Sequence, residues 1–339
     1  MNNLMAITPI NGFKTVFQFI NTGSSLSGQL STIAPVVISY GDGATETING
    51  TNQSYSHTYS AAGTYQVKLL SINKNALTKF WQFAGNVSFA IADIPASVAN
   101  IFSANNTITG SLADFSSNIS TIEIRDGNTI NGNLNQLSSG VITLYVSGNN
   151  TITGDLVDLP ASCNYLYITG TNTISGDLAD LPTGFNTLYV YGNNTITGDL
   201  VDLPASLSAL GVFGNNTITG NLVDLPANLV SCWVYGDNTI FGDLTDIPAT
   251  LTIFEAIGDN TISDFSGTLG NTSMVNFVSV PISGGLSTLE VDNLLIALSA
   301  ITFINSKLVI LTGSNAARSA ASDAAVTSLQ AQGVTVTTF

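Results

Sequence analysis

Few side chains in this sequence have the chemistry of a catalytic group. His57 is the only histidine among 339 residues, and the only cysteines, Cys163 and Cys232, are 69 residues apart. A zinc site or a Ser-His-Asp triad needs further partners around a histidine. We interpret both cysteines as buried apolar side chains too far apart for a disulfide. We therefore predict no catalytic residue, no metal ligand and no cofactor, and hence not an enzyme.

Carboxylates recur at regular intervals and are the other group with possible chemistry. The columns are Asp155, Asp177, Asp199 and Asp243, and Asp158, Asp180, Asp202, Asp224 and Asp246. Paired carboxylates hydrolyse glycosidic bonds where a pocket raises one pKa, and Ca²⁺ takes about six to eight oxygen ligands. Aspartates on an outer edge offer no such pocket, and no segment resembles a calcium loop. We interpret them as a solvated edge that discourages aggregation, with calcium binding or carboxylate catalysis as alternatives.

Aromatic residues form the best candidate binding site. Two columns of outward strand positions are predicted: Glu123, Tyr145, Tyr167, Tyr189, Gly211, Trp233 and Glu255, and Arg125, Ser147, Thr169, Tyr191, Phe213, Tyr235 and Ile257. The candidate ligand-binding residues are the seven aromatics, Tyr145, Tyr167, Tyr189, Tyr191, Phe213, Trp233 and Tyr235. Tyrosine and tryptophan commonly anchor binding surfaces. The alternative is that these rings only reinforce a sheet through cross-strand contacts.

A 22-residue repeat positions these columns. The tripeptide Asn-Thr-Ile occurs eight times without an insertion, with its isoleucine at Ile108, Ile130, Ile152, Ile174, Ile196, Ile218, Ile240 and Ile262. In each copy, alternating apolar residues such as Leu188 and Val190 predict a half-buried strand, and a second short extended run ends at a proline. Repeats of this kind stack and share a core. We predict a mainly β solenoid from about residue 85 to 286.

One asparagine per copy lies just after a glycine turn. The column is Asn106, Asn128, Asn150, Asn172, Asn194, Asn216, Asn238 and Asn260. A buried bend leaves backbone N–H and C=O groups without strand partners, and an amide side chain both donates and accepts. We predict that this column is a structural hydrogen-bond ladder.

The consensus L-x-x-L-x-V…N-x-I-x-G-x-L resembles the leucine-rich repeat. The I-T-G-D-L-x-D-L-P portion is similar to the plant-type and bacterial variants, in which a second sheet replaces the convex helices. The uniform asparagine lies four positions after the strand valine, where the family usually has three. The resemblance implies a leucine-rich-repeat-like solenoid of a bacterial or phage type.

Residues 1–84 do not repeat and resemble a polycystic-kidney-disease (PKD) β-sandwich module. The resemblance is carried by Gly41-Asp42-Gly43, His57-Thr58-Tyr59 and Gly63-Thr64-Tyr65, and it implies a structural role for His57. Residues 287–339 change period. A capping box from Ser287 to Glu290 predicts a helix, followed by a strand at KLVILTG, a helix ended by Gly333 and a last strand. This predicts an α/β C-terminal cap on the solenoid.

Charge and location limit the partners. Seven Lys+Arg against 22 Asp+Glu give a net charge of −15, which disfavours nucleic acid. The sequence has no uninterrupted apolar stretch of about 18 residues, so we predict no membrane insertion. No secretory signal is visible. Asn-x-Thr glycosylation acceptors beside the ladder, at Asn105, Asn149, Asn193 and Asn215, disfavour a eukaryotic secreted origin.

These features together predict a non-enzymatic bacteriophage virion surface or tail protein. It would bind a host-surface glycan or protein through the aromatic columns and contact other virion proteins. The alternatives are a bacterial cell-surface adhesin, a carbohydrate-active enzyme and a purely structural virion scaffold.

Overall fold

The structure is a computed structural model that describes residues 12–339, apart from the side chains of Ser263 and Ser306. The fold is mainly β, as predicted, with 53% of residues in strands against 15% in helices. Two compact units divide the chain. The N-terminal unit runs through Thr153 and includes 160–163 and 167–171; the C-terminal unit comprises 154–159, 164–166 and 172–339. The part of the predicted 1–84 domain before residue 12 lies outside the described residues.

Five strands that are mostly antiparallel begin the N-terminal unit. They are β1 (Lys14–Asn21), β2 (Ser25–Ser39), β3 (Thr45–Thr58), β4 (Tyr65–Ser71) and β5 (Leu77–Ala84). Strand β1 pairs with β4, and β2 pairs with β3, β4 and β5. Phe17, Phe19, Phe80 and Phe89 form their aromatic core, where the Phe17 and Phe80 ring centroids are 4.9 Å apart.

His57 lies within this antiparallel region. Its Nε2 is 2.7 Å from Oδ2 of Asp42, and its ring stacks on Tyr40 with centroids 4.2 Å apart. Hydrogen bonds thus join the Gly-Asp-Gly turn to the strand that carries His57. Among the described residues, the histidine has a carboxylate partner and aromatic neighbours but no second metal-ligating partner.

The repeats of the N-terminal unit continue the hydrogen bonding of these strands. Their strands are β6 (Val87–Ala90), β7 (Asn100–Ala104), β8 (Thr107–Ser111), β9 (Thr121–Asn133) and β10 (Thr143–Asp155). Strand β5 pairs with β7 in parallel, and β1 pairs with β6. From there the parallel pairs β7–β9, β8–β9 and β9–β10 follow. The first repeat therefore adds directly to the preceding antiparallel strands.

The remaining repeat strands are β11 (Tyr165–Asp177), β12 (Thr187–Asp199), β13 (Ala209–Asn221), β14 (Ser231–Gly236), β15 (Thr239–Asp243), β16 (Ile253–Gly258), β17 (Thr261–Asp264) and β18 (Ser273–Pro281). Strands β12 to β18 pair in parallel in the same way. The predicted inward side chains are buried. Leu188 pairs with Leu210 and Val190 with Val212, and all four are 0% exposed. This arrangement within each unit is consistent with the predicted solenoid.

The glycine turn differs from the prediction. In β10 to β13 the two predicted extended runs form one strand of 13 residues. Before the turn, residues 22 apart pair; after it, residues 20 apart pair, as in Thr197 with Thr217. Gly192 has a φ of +149°, a conformation that side chains with a Cβ rarely adopt. Here the turn shifts the register by two residues instead of ending the strand, whereas β14 ends at Gly236 and β16 ends at Gly258.

Seven of the eight repeats close in a short 3₁₀ turn, and in six of them the turn is an L-x-D segment. The turns are Leu112–Asp114, Leu134–Gln136, Leu156–Asp158, Leu178–Asp180, Leu200–Asp202, Leu222–Asp224 and Leu244–Asp246. The residue before each turn caps it, as when Asp199 Oδ1 accepts the Val201 N–H at 3.1 Å. The first aspartate column, interpreted from the sequence as a solvated edge, consists of capping residues, because short polar side chains satisfy the free N–H groups at a helix start.

The C-terminal elements agree with the sequence. Helix α1 (Thr288–Ser299) begins with the capping box between Ser287 and Glu290. Strand β19 (Thr302–Leu311), helix α2 (Asp323–Ala331) and strand β20 (Thr335–Thr338) follow. Strands β18, β19 and β20 pair in parallel, so the parallel hydrogen bonding continues beyond the last repeat.

Candidate ligand-binding face

Five of the predicted aromatic residues form one cluster in the C-terminal unit, defined here as the C-terminal aromatic cluster: Tyr189, Tyr191, Phe213, Trp233 and Tyr235. The Phe213 ring centroid is 5.3 Å from that of Tyr189, 5.5 Å from Tyr191 and 4.7 Å from Tyr235. Tyr191 is 53% exposed, and the other four are half-buried. These side chains point away from the core because they alternate with buried residues on β12, β13 and β14.

Gly211 makes room for this cluster. It lies between Tyr189 and Trp233 in the pairing order of the strands. A Cβ at position 211 would overlap the Tyr189 ring. The ring therefore lies over the glycine, with its centroid 6.0 Å from that of Trp233. The missing side chain in the column is what lets these two aromatic residues approach each other.

A buried carboxylate lies at the edge of the same cluster. Glu255 is 9% exposed; it accepts a hydrogen bond from the Tyr235 hydroxyl and another from Asn276 Nδ2 at 2.8 Å. Burial, and then the hydrogen bond to Glu255, raise the pKa of Tyr235 well above its ordinary value. The phenol therefore stays protonated at neutral pH and donates to the carboxylate. Sequence reasoning placed Glu255 in the outward column but did not predict its burial.

The other two predicted aromatics lie in the N-terminal unit. Tyr145 and Tyr167 stack with centroids 4.1 Å apart and an interplanar angle of 5°. The Arg125 guanidinium lies 4.4 Å from the Tyr145 centroid and 5.5 Å from that of Phe102. Cations over aromatic faces are attracted by the ring quadrupole. Arg125 therefore connects the predicted tyrosines to an aromatic residue outside the predicted set.

Sequence reasoning missed three aromatic residues on this face: Trp81, Phe83 and Phe102. Trp81 pairs with Phe102, and Phe102 with Glu123, the first member of the predicted column. The three ring centroids are 5.8–6.1 Å apart. Trp81 lies before the repeats, and the first repeat has one residue fewer between its strand and its Asn-Thr-Ile. When the copies are aligned on that tripeptide, these residues therefore do not fall into the predicted column. The alternation in KFWQF was still a signal that Trp81 points outward from a strand.

The predicted asparagine column lies beneath the turns of both units. All eight side chains are buried, at 3% exposure or less. In the full pattern, the side-chain oxygen accepts an N–H from the preceding repeat and the side-chain N–H₂ donates to a carbonyl of the following one. Asn194 shows both, with Ile174 N at 2.9 Å and Phe213 O at 3.0 Å. The adjacent, less uniform asparagine positions, such as Asn193, are exposed. Sequence reasoning missed Asn315, which makes the same kind of bonds to Leu286 N and Ser279 O.

The aspartate columns and the cysteines were the other candidates for chemistry. Within the described part of the chain, no group of three or more His, Cys, Asp or Glu residues has the arrangement of a metal site. Both cysteines are buried, and neither forms a disulfide within the described residues. No helix in residues 12–339 has the length and apolar character needed to cross a membrane.

Fold and site together define the class: a mainly β repeat protein that presents partly exposed aromatic side chains on its strand faces. No family model and no curated protein matches the sequence. Among solved structures, the plant peptide hormone receptor RGFR1 in complex with RGF2 is 17% identical with a TM-score of 0.44, covering 70% of this chain and 40% of that chain. The Arabidopsis receptor kinase HAESA LRR ectodomain, in complex with an N-terminally extended IDA peptide hormone, is 18% identical with a TM-score of 0.39, covering 64% and 43%. The chain spans less than half the length of either.

Proposed function

We propose that this chain is a non-enzymatic bacteriophage virion surface or tail protein that binds a host-surface glycan or protein. The observation that carries the binding role is the C-terminal aromatic cluster, in which five partly exposed rings contact one another above a fully buried core. Rings fixed in this way lose little conformational entropy when they bind a ligand. The resemblances to bacterial or phage leucine-rich repeats and to the PKD module support the assignment to a virion.

Two alternative functions would use the same features. A bacterial cell-surface adhesin would use the same aromatic surface, and it would be found on cells instead of virions. A purely structural virion scaffold would use the rings only for cross-strand packing, which their mutual distances also serve. As a surface or tail protein and equally as a scaffold, the chain would contact other virion proteins.

Mass spectrometry of purified virions tests the location. Finding the chain among the virion proteins supports the tail or surface assignment, and finding it only in the bacterial envelope supports the adhesin. For the binding role, the double variant Tyr191→Ala with Trp233→Ala removes one exposed and one half-buried ring of the cluster. We expect host-cell binding to fall at least about tenfold, since aromatic anchors commonly contribute more than one kcal/mol each.

The matched control is Phe241→Ala, because Phe241 is 46% exposed on β15 of the same unit and is not part of the cluster. Circular dichroism before and after heating establishes that each variant is folded. Unchanged host binding by the folded double variant would contradict the binding role and favour the scaffold.

A further inference from the structure

A second group of aromatic residues, in the N-terminal unit, is combined with cations. We define the basic aromatic cluster as Lys79, Trp81, Phe102, Arg125 and Tyr145. Lys79 Nζ lies 3.3 Å from the Trp81 ring centroid, and the Arg125 guanidinium contacts the Phe102 and Tyr145 rings at the distances given above. The pairing order of the strands places these side chains on one face of β5, β7, β9 and β10.

Cations are scarce in this protein, which makes their position informative. The chain has seven Lys+Arg against 22 Asp+Glu, and Arg125 is the only cation between Lys79 and Lys307. Two of the seven therefore lie on one aromatic face. The C-terminal aromatic cluster has no lysine or arginine among its members and has Glu255 at its edge. The two aromatic clusters consequently differ in the charge they offer a ligand.

Two donors of the basic aromatic cluster lack an acceptor among the described residues. Trp81 Nε1 and Arg125 Nε are buried and have no hydrogen-bond partner among residues 12–339. Among the described residues, the Arg125 side chain donates a hydrogen bond through Nη2, to Glu123 Oε2 at 3.3 Å, and it is 41% exposed. Lys79 donates one proton to Asn52 Oδ1 at 2.6 Å. The partly exposed Arg125 guanidinium and the Lys79 ammonium carry further N–H donors, which a ligand that supplies acceptors would satisfy.

We propose that the basic aromatic cluster is a subsite for a glycan that carries carboxylates, that is, one containing uronic acid residues. The apolar faces of sugar rings pack against aromatic rings, and the fork of an arginine binds a carboxylate more strongly than a neutral oxygen. The proposal rests on the proposed function, of which it specifies the ligand. It also assigns the two clusters ligands of different charge, since the cluster beside Glu255 has no lysine or arginine among its members and favours a neutral glycan.

The small number of cations in the cluster argues for this ligand over a nucleic acid. Glu123 and Asp126 flank Arg125, and the chain carries a net charge of −15. A polyphosphate has a charge at every nucleotide and needs many cations to neutralise it. Two cations among aromatic rings suit a short segment of uronic acid residues, whose carboxylates lie beside apolar ring faces.

The test compares two oligosaccharides that differ only in charge. Isothermal titration of the full chain uses a galacturonate oligomer and the same oligomer after reduction of its carboxyl groups. We expect the carboxylated oligomer to bind at least about tenfold more tightly, and Arg125→Gln to remove most of that difference, as loss of one charge-assisted hydrogen bond predicts. Lys74→Gln is the matched control, since Lys74 is an exposed cation outside the cluster.

Several outcomes would overturn the proposal: equal affinity for the two oligomers, no binding of either, unchanged binding by Arg125→Gln, an equal loss in Lys74→Gln, or tighter binding of an oligothymidylate than of the galacturonate oligomer. Each variant is first compared with the wild type in thermal unfolding, and Arg125→Lys serves as a second variant that keeps the charge. Host-cell binding that is lost in the Tyr191→Ala, Trp233→Ala variant but not in Arg125→Gln would leave the proposed function intact while this inference fails.

Discussion

The side-chain oxygen of Asn216 accepts a hydrogen bond from the backbone N–H of Ile196 at 2.9 Å. The same amide donates to the carbonyl of Tyr235 at 3.2 Å. One buried side chain therefore connects three successive repeats. Because Tyr235 belongs to the C-terminal aromatic cluster, the asparagine column also fixes the strand that presents the candidate site.

The first prediction concerns this connection. Asn216→Ala leaves the buried Ile196 N–H without an acceptor, and an unsatisfied buried group costs more than the net value of its hydrogen bond. We expect the free energy of unfolding to fall by about 2–4 kcal/mol. Urea denaturation followed by circular dichroism measures it. Asn215→Ala is the control, since Asn215 is the exposed neighbour; an equal loss in both variants would show that the column has no special role.

A second prediction concerns how the stability contributed by the Asp243 cap depends on pH. Burial raises the pKa of Asp243, but hydrogen bonds from Ser266 and Thr245 outweigh it, so the pKa lies below its ordinary value. Ionised Asp243 therefore stabilises the folded chain above the unfolded pKa of about 3.9, and this stabilisation is lost as the pH falls through the lower, folded value.

Asp243→Asn keeps a capping side chain, since asparagine serves at Asn221, but removes the titration. We expect wild type to be more stable than the variant at pH 6 and the difference to shrink below about pH 3.9. Denaturant titrations at a series of pH values measure this difference. Asp246→Asn, at an exposed aspartate of the same turn, is measured as the control. A difference that stays constant down to pH 2 would contradict the prediction.

A third prediction concerns the thiol of Cys232. The residue is 2% exposed, and burial raises the pKa of its thiol to about 12. Only the thiolate reacts with disulfide reagents, so we expect no labelling of native protein by 5,5′-dithiobis(2-nitrobenzoate) at pH 8 over hours. Both cysteines should react at once in denaturant. Fast labelling of Cys232 in the native state, located by peptide mapping, would show that the repeat core opens readily.

The sequence predicted the core better than the surface, for physical reasons. Buried positions such as Leu188 and Val190 follow a period of two within an unbroken 22-residue repeat, and burial forces that pattern on every copy. The register shift at Gly192 changes no residue type on the two faces, so no pattern could reveal it. Trp81 joins the aromatic face only through strand pairing between a non-repeated segment and the first repeat, which is a long-range contact. The capping role of Asp199 did have a local signal, because capping residues precede short helical turns.

The last prediction concerns Gly211, a strand residue that contacts the Tyr189 ring of the candidate site. A methyl group at this position would overlap the Tyr189 ring, so in Gly211→Ala the ring must rotate away from Trp233. Because the Tyr189 side chain is only half-buried, we expect the free energy of unfolding to change by less than about 1 kcal/mol. The near-ultraviolet circular dichroism of Trp233, measured in a Trp81→Phe background, should change clearly, and host-cell binding should fall. Gly184→Ala is the control, because a Cβ there meets no atom within 4 Å. An unchanged Trp233 signal in folded Gly211→Ala would mean that the glycine does not set the geometry of the cluster, whereas a changed signal with full host binding would place the ligand elsewhere.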